Sequence, residues 1–186
     1  MKAVMISIQL KWVEKIVNGE KTIEVRKSAP KEVPFKCYIY ETQGQYVKFT
    51  HGAHTKYGYG RGKVIGEFIC DKVYSIKNRG SSFSVADEEQ SVTNEIARQS
   101  CLYYDDMVSY FGNKDGFGWH ISDLKIYDKP KELGDFKKHC HYKDRNSYCL
   151  ANECEYYSDW TGICCNWVER PPLSWCYVKE LQEEKK

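Results

Sequence analysis

The sequence contains no run of about 18 apolar residues, the length a membrane-crossing helix needs, so it offers no spanning segment. Proline is scarce, with 5 in 186 residues, and glycine stands at 13, which together with 41% apolar residues excludes fibrous and wholly disordered chains. Neither sign of charge is in excess: 28 Lys and Arg face 26 Asp and Glu, a net charge of +2. That balance selects neither a nucleic-acid nor an acidic partner, so local distribution has to decide. The opening MKAVMISIQLKW is too short an apolar stretch for a signal peptide and has no small-residue cleavage site, which predicts a cytoplasmic chain.

Two residue classes are abundant. Aromatics make up 15% of the chain, a density that suits packed β-structure and equally suits surfaces on which bases stack. Cysteine reaches 9. Cys140, Cys149, Cys154, Cys164, Cys165 and Cys176 crowd the last quarter, while Cys37, Cys70 and Cys176 sit in strand-like segments and read as small core residues. Between His139 and Cys165 only Leu150, Ala151 and Ile163 are aliphatic, so residues 137–168 form an insert that cannot build a core of its own. Cys140, Cys149, Cys154 and Cys164 are the ligand set for a structural zinc, although the spacing has no CxxC knuckle. Disulfides, an iron–sulfur cluster and free thiols are the alternatives.

Periodicity predicts an opening strand over Ala3–Ile8, then a helix through Leu10, Val13, Ile16 and Val17 that stops at Gly19. Strands follow at KTIEVR (21–26) and FKCYIYE (35–41), one long strand at 64–76 bent at Gly66, helical material over 93–111, a strand at 116–127 and a closing strand before Val178. Segment 78–90 reads as a loop. Many short strands with few helices suggest an α+β domain over 1–186, built on a small mixed barrel. The window 44–63 reads as a long hairpin loop. It carries Lys48, Lys56, Arg61 and Lys63 with no acidic residue, interleaved with Tyr46, Phe49, Tyr57 and Tyr59, a composition suited to single-stranded RNA.

Lys21 stands at the mouth of a strand from which Glu24 and Arg26 project on one face. A carboxylate beside a guanidinium orients the fork for a phosphate or a base edge. On spacing alone the pair reads as an ordinary surface ion pair, worth little. Glu67, read at period two with Ile65 and Ile69, is a second candidate acid or base. His120 faces away from Trp119 on its strand, and a lone histidine there is most often structural.

The stretch GEKTIEVRK, with Gly19, Lys21, Glu24 and Arg26 in the pattern Gly-x-Lys-x-x-Glu-x-Arg, resembles the ASCH domain family of the PUA-like superfamily. GKVIGEF (62–68), GWHISDLKIYDKPKEL (118–133) and RPPLSWCYV (170–178) resemble the longer ASCH proteins of Firmicutes and their phages. The resemblance implies a PUA-like barrel with flanking helices. It also implies a cleft lined by Lys21, Thr22, Glu24, Arg26 and Lys27 that takes RNA or a modified nucleoside, with Lys48, Tyr57, Arg61, Lys63 and His120 as further ligand-binding residues. Some family members are amidohydrolases that deacetylate N4-acetylcytidine with a threonine nucleophile; Glu24 stands at that position here, which removes the nucleophile. Binding is therefore the expectation. The alternative is a hydrolase of that kind or a ribonuclease, with Lys21, Glu24 and Glu67 in acid–base roles.

Overall fold

The computed structural model describes residues 2–44, 46–51, 54–138, 157–158, 163–164 and 166–181. In chain order the elements are β1 (Ala3–Ile8), α1 (Leu10–Val17), β2 (Ile23–Arg26), β3 (Phe35–Glu41), β4 (Tyr46–His51), β5 (His54–Tyr59) and β6 (Val64–Cys70). There follow β7 (Val73–Asn78), β8 (Phe83–Val85), α2 (Gln90–Ser100), α3 (Tyr104–Phe111), β9 (Gly116–His120), β10 (Ser122–Lys131), β11 (Tyr157–Ser158), β12 (Ile163–Cys164) and β13 (Trp175–Val178). No helix among the described residues is long and apolar enough to cross a membrane.

The strands pair into a five-stranded sheet, order β10-β6-β3-β1-β13, and a four-stranded sheet, order β2-β9-β7-β8. Only β1 and β3 run parallel in the larger sheet. One face of that sheet carries Val4, Ile6, Ile8, Phe35, Cys37, Ile39 and Phe68, which pack with Val13 and Ile16 of α1 and Trp119 of β9. Its other face carries Ala3, Met5, Tyr38, Tyr40 and Val64 against Phe136 and Val168. β1 is thus buried on both sides, which explains why AVMISI is nearly continuously apolar. A third cluster joins Ile23, Val25 and Ile76 of the smaller sheet to Ile96, Met107 and Phe111 of α2 and α3. Burying each such large side chain contributes about 1.5–3 kcal/mol.

The α+β class holds, but the strand pairs among the described residues leave these two open sheets, with the two-stranded pairs β4–β5 and β11–β12 beside them, and no closed barrel. The long strands expected at 64–76 and 116–127 each divide, at Asp71–Lys72 and at Ile121. These breaks are corners at which the chain leaves one sheet for the other, and the His120 N–H donates to the Lys72 carbonyl across them (2.9 Å). Window 44–63 is the β4–β5 hairpin, helical segment 93–111 is two helices, and 78–90 contains the short β8. Cys37 and Cys70 are buried as expected, whereas Cys176 is only partly so. Of the insert, Cys140, Cys149, Cys154 and Cys165 lie outside the described residues.

Candidate functional site

The site begins where α1 ends. Gly19 takes φ +73°, and the amides of Glu20 and Lys21 turn back onto the Lys15 carbonyl (2.9 and 3.0 Å). This closure caps the helix in the manner its glycine predicted and sets Lys21 at the start of β2. Lys21, 2% exposed, donates from Nζ to the carbonyl of Ser100 (2.6 Å), the last residue of α2, where the helix dipole favours a cation. Its ammonium also lies 3.5 Å from Glu24 Oε2 and 5.2 Å from the Trp12 ring centre. Glu24 Oε1 meets Arg26 Nη2 at 2.9 Å, and the same Nη2 donates to the Ser7 carbonyl at 2.6 Å.

The expectation of a solvated ion pair is therefore corrected: Glu24 is 5% and Arg26 7% exposed, because α1 and the ends of β1 and α2 cover this stretch of β2. Burial shifts the Lys21 ammonium below its ordinary range, and the nearby Glu24 carboxylate opposes that shift without cancelling it. A lysine held this way surrenders its proton more readily than a solvated one.

The three charges open into a cleft of about 800 Å³. It lies at the carboxyl ends of the parallel strands β1 and β3, where Ser7, Tyr40 and Thr42 contribute to its lining. α1 supplies Lys11 and Trp12 from its first turn, α3 supplies Asp106 and Tyr110, and Pro171–Leu173 form a rim. Glu24 Oε2, Arg26 Nε and Thr42 Oγ1 are buried without a hydrogen-bond partner among the described residues. Charged groups and two aromatic rings, Trp12 and Tyr110, in one cleft wall suit a planar ligand with a polar edge.

Other sequence candidates fall elsewhere. Lys27 does not line the cleft; its Nζ lies 5.2 Å from the ring centre of Tyr110, which does. Thr22 does not line the cleft and instead links α2 to the β9–β10 corner through its backbone, donating to the Gln99 carbonyl and accepting from the Ile121 amide. Arg61 anchors the base of the β4–β5 hairpin, its amide donating to buried Glu41 at 2.6 Å. Lys63 pairs with Glu132. Lys48 and Tyr57 are direct partners in the hairpin register. His120 does not line the cleft; its Nδ1 lies 2.6 Å from Asp71 at the sheet corner.

Glu67 is also outside the cleft. A bulge places Ile65 as an extra residue between the pairs Ile39↔Gly66 and Tyr40↔Val64. Ile65 therefore joins the first core face while Glu67 stays opposite Tyr38 on the second, paired with Lys36 (3.4 Å) and accepting from the Tyr127 hydroxyl (2.5 Å). Reading period two through the bulge assigned the wrong neighbour. Sequence reasoning missed Trp12 and Tyr110, although each flanks an apolar helical stripe, which was the available signal. Among the described residues no group of three or more His, Cys, Asp or Glu could hold a metal.

No family profile and no curated protein matches the sequence. Solved structures do. The ASCH crystal structure from Zymomonas mobilis superposes at a TM-score of 0.54 and 16% identity, over 96% of this chain and 89% of that one. Two single-residue variants of the same protein give TM-scores of 0.54, one at 16% identity over 97% and 92% of the two chains, the other at 15% over 96% and 89%. The chain has the ASCH fold. At such identity the ASCH likeness speaks for architecture alone, and the cleft residues must carry the functional argument.

Proposed function

We propose that the protein is an ASCH-family module that binds RNA or a modified nucleoside, taking one base into the Lys21–Glu24–Arg26 cleft. The observation that carries this reading is the nearly buried charge triplet of Lys21, Glu24 and Arg26 lining one cleft with the Trp12 and Tyr110 rings. A carboxylate acceptor beside a guanidinium donor complements a base edge that offers a donor next to an acceptor, and the aromatic rings that line the cleft supply stacking. A free nucleoside would fill such a cleft. A strand would additionally reach the basic β4–β5 hairpin, whose root at Gln43 borders the cleft and whose β4 packs near α1. That continuity favours RNA.

The test measures binding of a short single-stranded RNA at two salt concentrations, with mass spectrometry of the RNA and of N4-acetylcytidine after incubation. Salt-sensitive binding with unchanged masses, weakened by Arg26→Ala, supports the reading. No binding of either ligand sinks it. The lowered proton affinity of Lys21 favours a second reading, a hydrolase with Lys21 as base and Glu24 in an acid–base role; a lost acetyl group or a shortened RNA would select it. The zinc expected at Cys140, Cys149, Cys154 and Cys164 stands as a further proposal, read out by elemental analysis of the purified protein.

A further inference from the structure

We propose that the first turn of α1 is a phosphate subsite of the cleft, built from the Leu10 and Lys11 amides, the Lys11 ammonium and the Arg26 guanidinium. This deepens the reading above and rests on it for the base, since it makes the ligand a nucleotide and not a bare nucleoside.

Four observations converge there. Gln9, the residue before the helix, is extended (φ −68°, ψ 145°) and its side chain caps nothing, and no acidic residue occupies the first turn. The first backbone amides of α1 thus point from its positive end without a side-chain acceptor. Second, Arg26 is fastened to this junction, since its Nη2 donates to the Ser7 carbonyl two residues before Gln9. It lines the same cleft as Gln9 and Lys11, is 7% exposed, and its Nε–H has no acceptor among the described residues. A buried guanidinium with a free donor beside a helix start is how an oxyanion is gripped. Third, Lys11 lines the cleft and its Nζ is held 4.4 Å from the Trp12 ring centre, which keeps the ammonium next to the proposed stacking face. Fourth, the turn lies at the carboxyl ends of the parallel pair β1 and β3, where open sheets place ligands.

Charge decides the ligand form. Glu24 offsets only one of the two nearly buried cations, Lys21 and Arg26, so an anion entering the cleft meets an uncompensated positive charge to which Lys11 and the helix start add. Asp106, on α3, also lines the cleft and disfavours anions near it, which confines the phosphate to the α1 side and leaves the base to Trp12 and Tyr110.

The test has two arms. Labelled full-length protein is titrated with inorganic phosphate while backbone amide resonances are followed, and calorimetry compares cytidine with its 5′- and 3′-monophosphates. The expected result is saturable shifts at the Leu10 and Lys11 amides and at least about tenfold tighter binding of one monophosphate than of cytidine. That gap closes in Lys11→Ala and persists in Lys129→Ala on distant β10. Equal affinity for cytidine and both monophosphates, with no phosphate shifts at Leu10 and Lys11, overturns the subsite and leaves the base-binding cleft standing. Phosphate shifts without binding of any cytidine compound keep the subsite and overturn the base reading instead.

Discussion

Glu24 and Arg26 leave the same face of β2 and meet at 2.9 Å beneath the protein surface. With Lys21 they make two cations against one carboxylate in a site that water scarcely reaches. The cluster is therefore one negative charge short, and the deficit faces the cleft. Within the triplet, Glu24 alone holds down the repulsion between Lys21 and Arg26.

Within the triplet, removing that carboxylate is the most damaging change. Glu24→Gln leaves two buried cations uncompensated and is expected to cost about 3–5 kcal/mol, whereas Lys21→Met keeps the Glu24–Arg26 pair and is expected to be close to neutral. Urea denaturation of the two variants checks this. Equal stabilities would mean the charges are solvated in practice.

Lys21 also fixes a pH dependence. Its folded-state proton affinity lies below the ordinary 10.5 because burial outweighs the pull of Glu24. Between the lowered value and 10.5 the unfolded chain holds more protons, so this group makes stability rise with pH across that window. The stability difference between wild type and Lys21→Met, followed from neutral pH upward, should therefore shift in favour of wild type. A flat difference would place Lys21 in water.

Glu67→Gln should leave ligand affinity unchanged, because Glu67 faces Lys36 and Tyr127 on the second sheet face. A loss of affinity comparable to that of Arg26→Ala would return Glu67 to the site.

Lys48→Ala and Lys56→Ala should weaken binding of an RNA strand and lower its salt slope by about one for each phosphate no longer neutralised. Binding of a mononucleotide should not change. An RNA affinity indifferent to both would detach the hairpin from the ligand.

Burial raises the Cys37 thiol well above its ordinary range and pushes Cys70 to about 12. Both should resist alkylation at mild alkaline pH in the folded protein and react once it is unfolded, as peptide mass mapping can read. Early modification of either would mean the large sheet opens.

Much of this was legible in the residue pattern. Gly19 marked the end of α1, the strands at 3–8 and 35–41 followed from apolar alternation, and Glu24 and Arg26 share a face of β2 as their spacing predicted, while the shared cleft with Lys21 was what the family resemblance implied. What escaped was decided by tertiary geometry. Whether Glu24–Arg26 is wet or dry depends on the helices laid over β2, which no local pattern encodes. The corners at Asp71–Lys72 and Ile121 lie inside apolar segments that read as continuous, and the Ile65 bulge shifts the phase on which the placement of Glu67 rested. Trp12 and Tyr110 join the cleft from two helices far apart in sequence.

β1 has β3 along one edge and β13 along the other, with Ala3 opposite Val178. During synthesis the second edge finds its partner only after Trp175–Val178 has been translated. Until then the nascent protein offers a row of unpaired amides and carbonyls on an apolar strand, the kind of template on which chains associate. A premature stop codon anywhere before Trp175 thus yields a sheet that ends on a bare apolar strand, a product for the quality-control machinery and not merely a protein missing its tail.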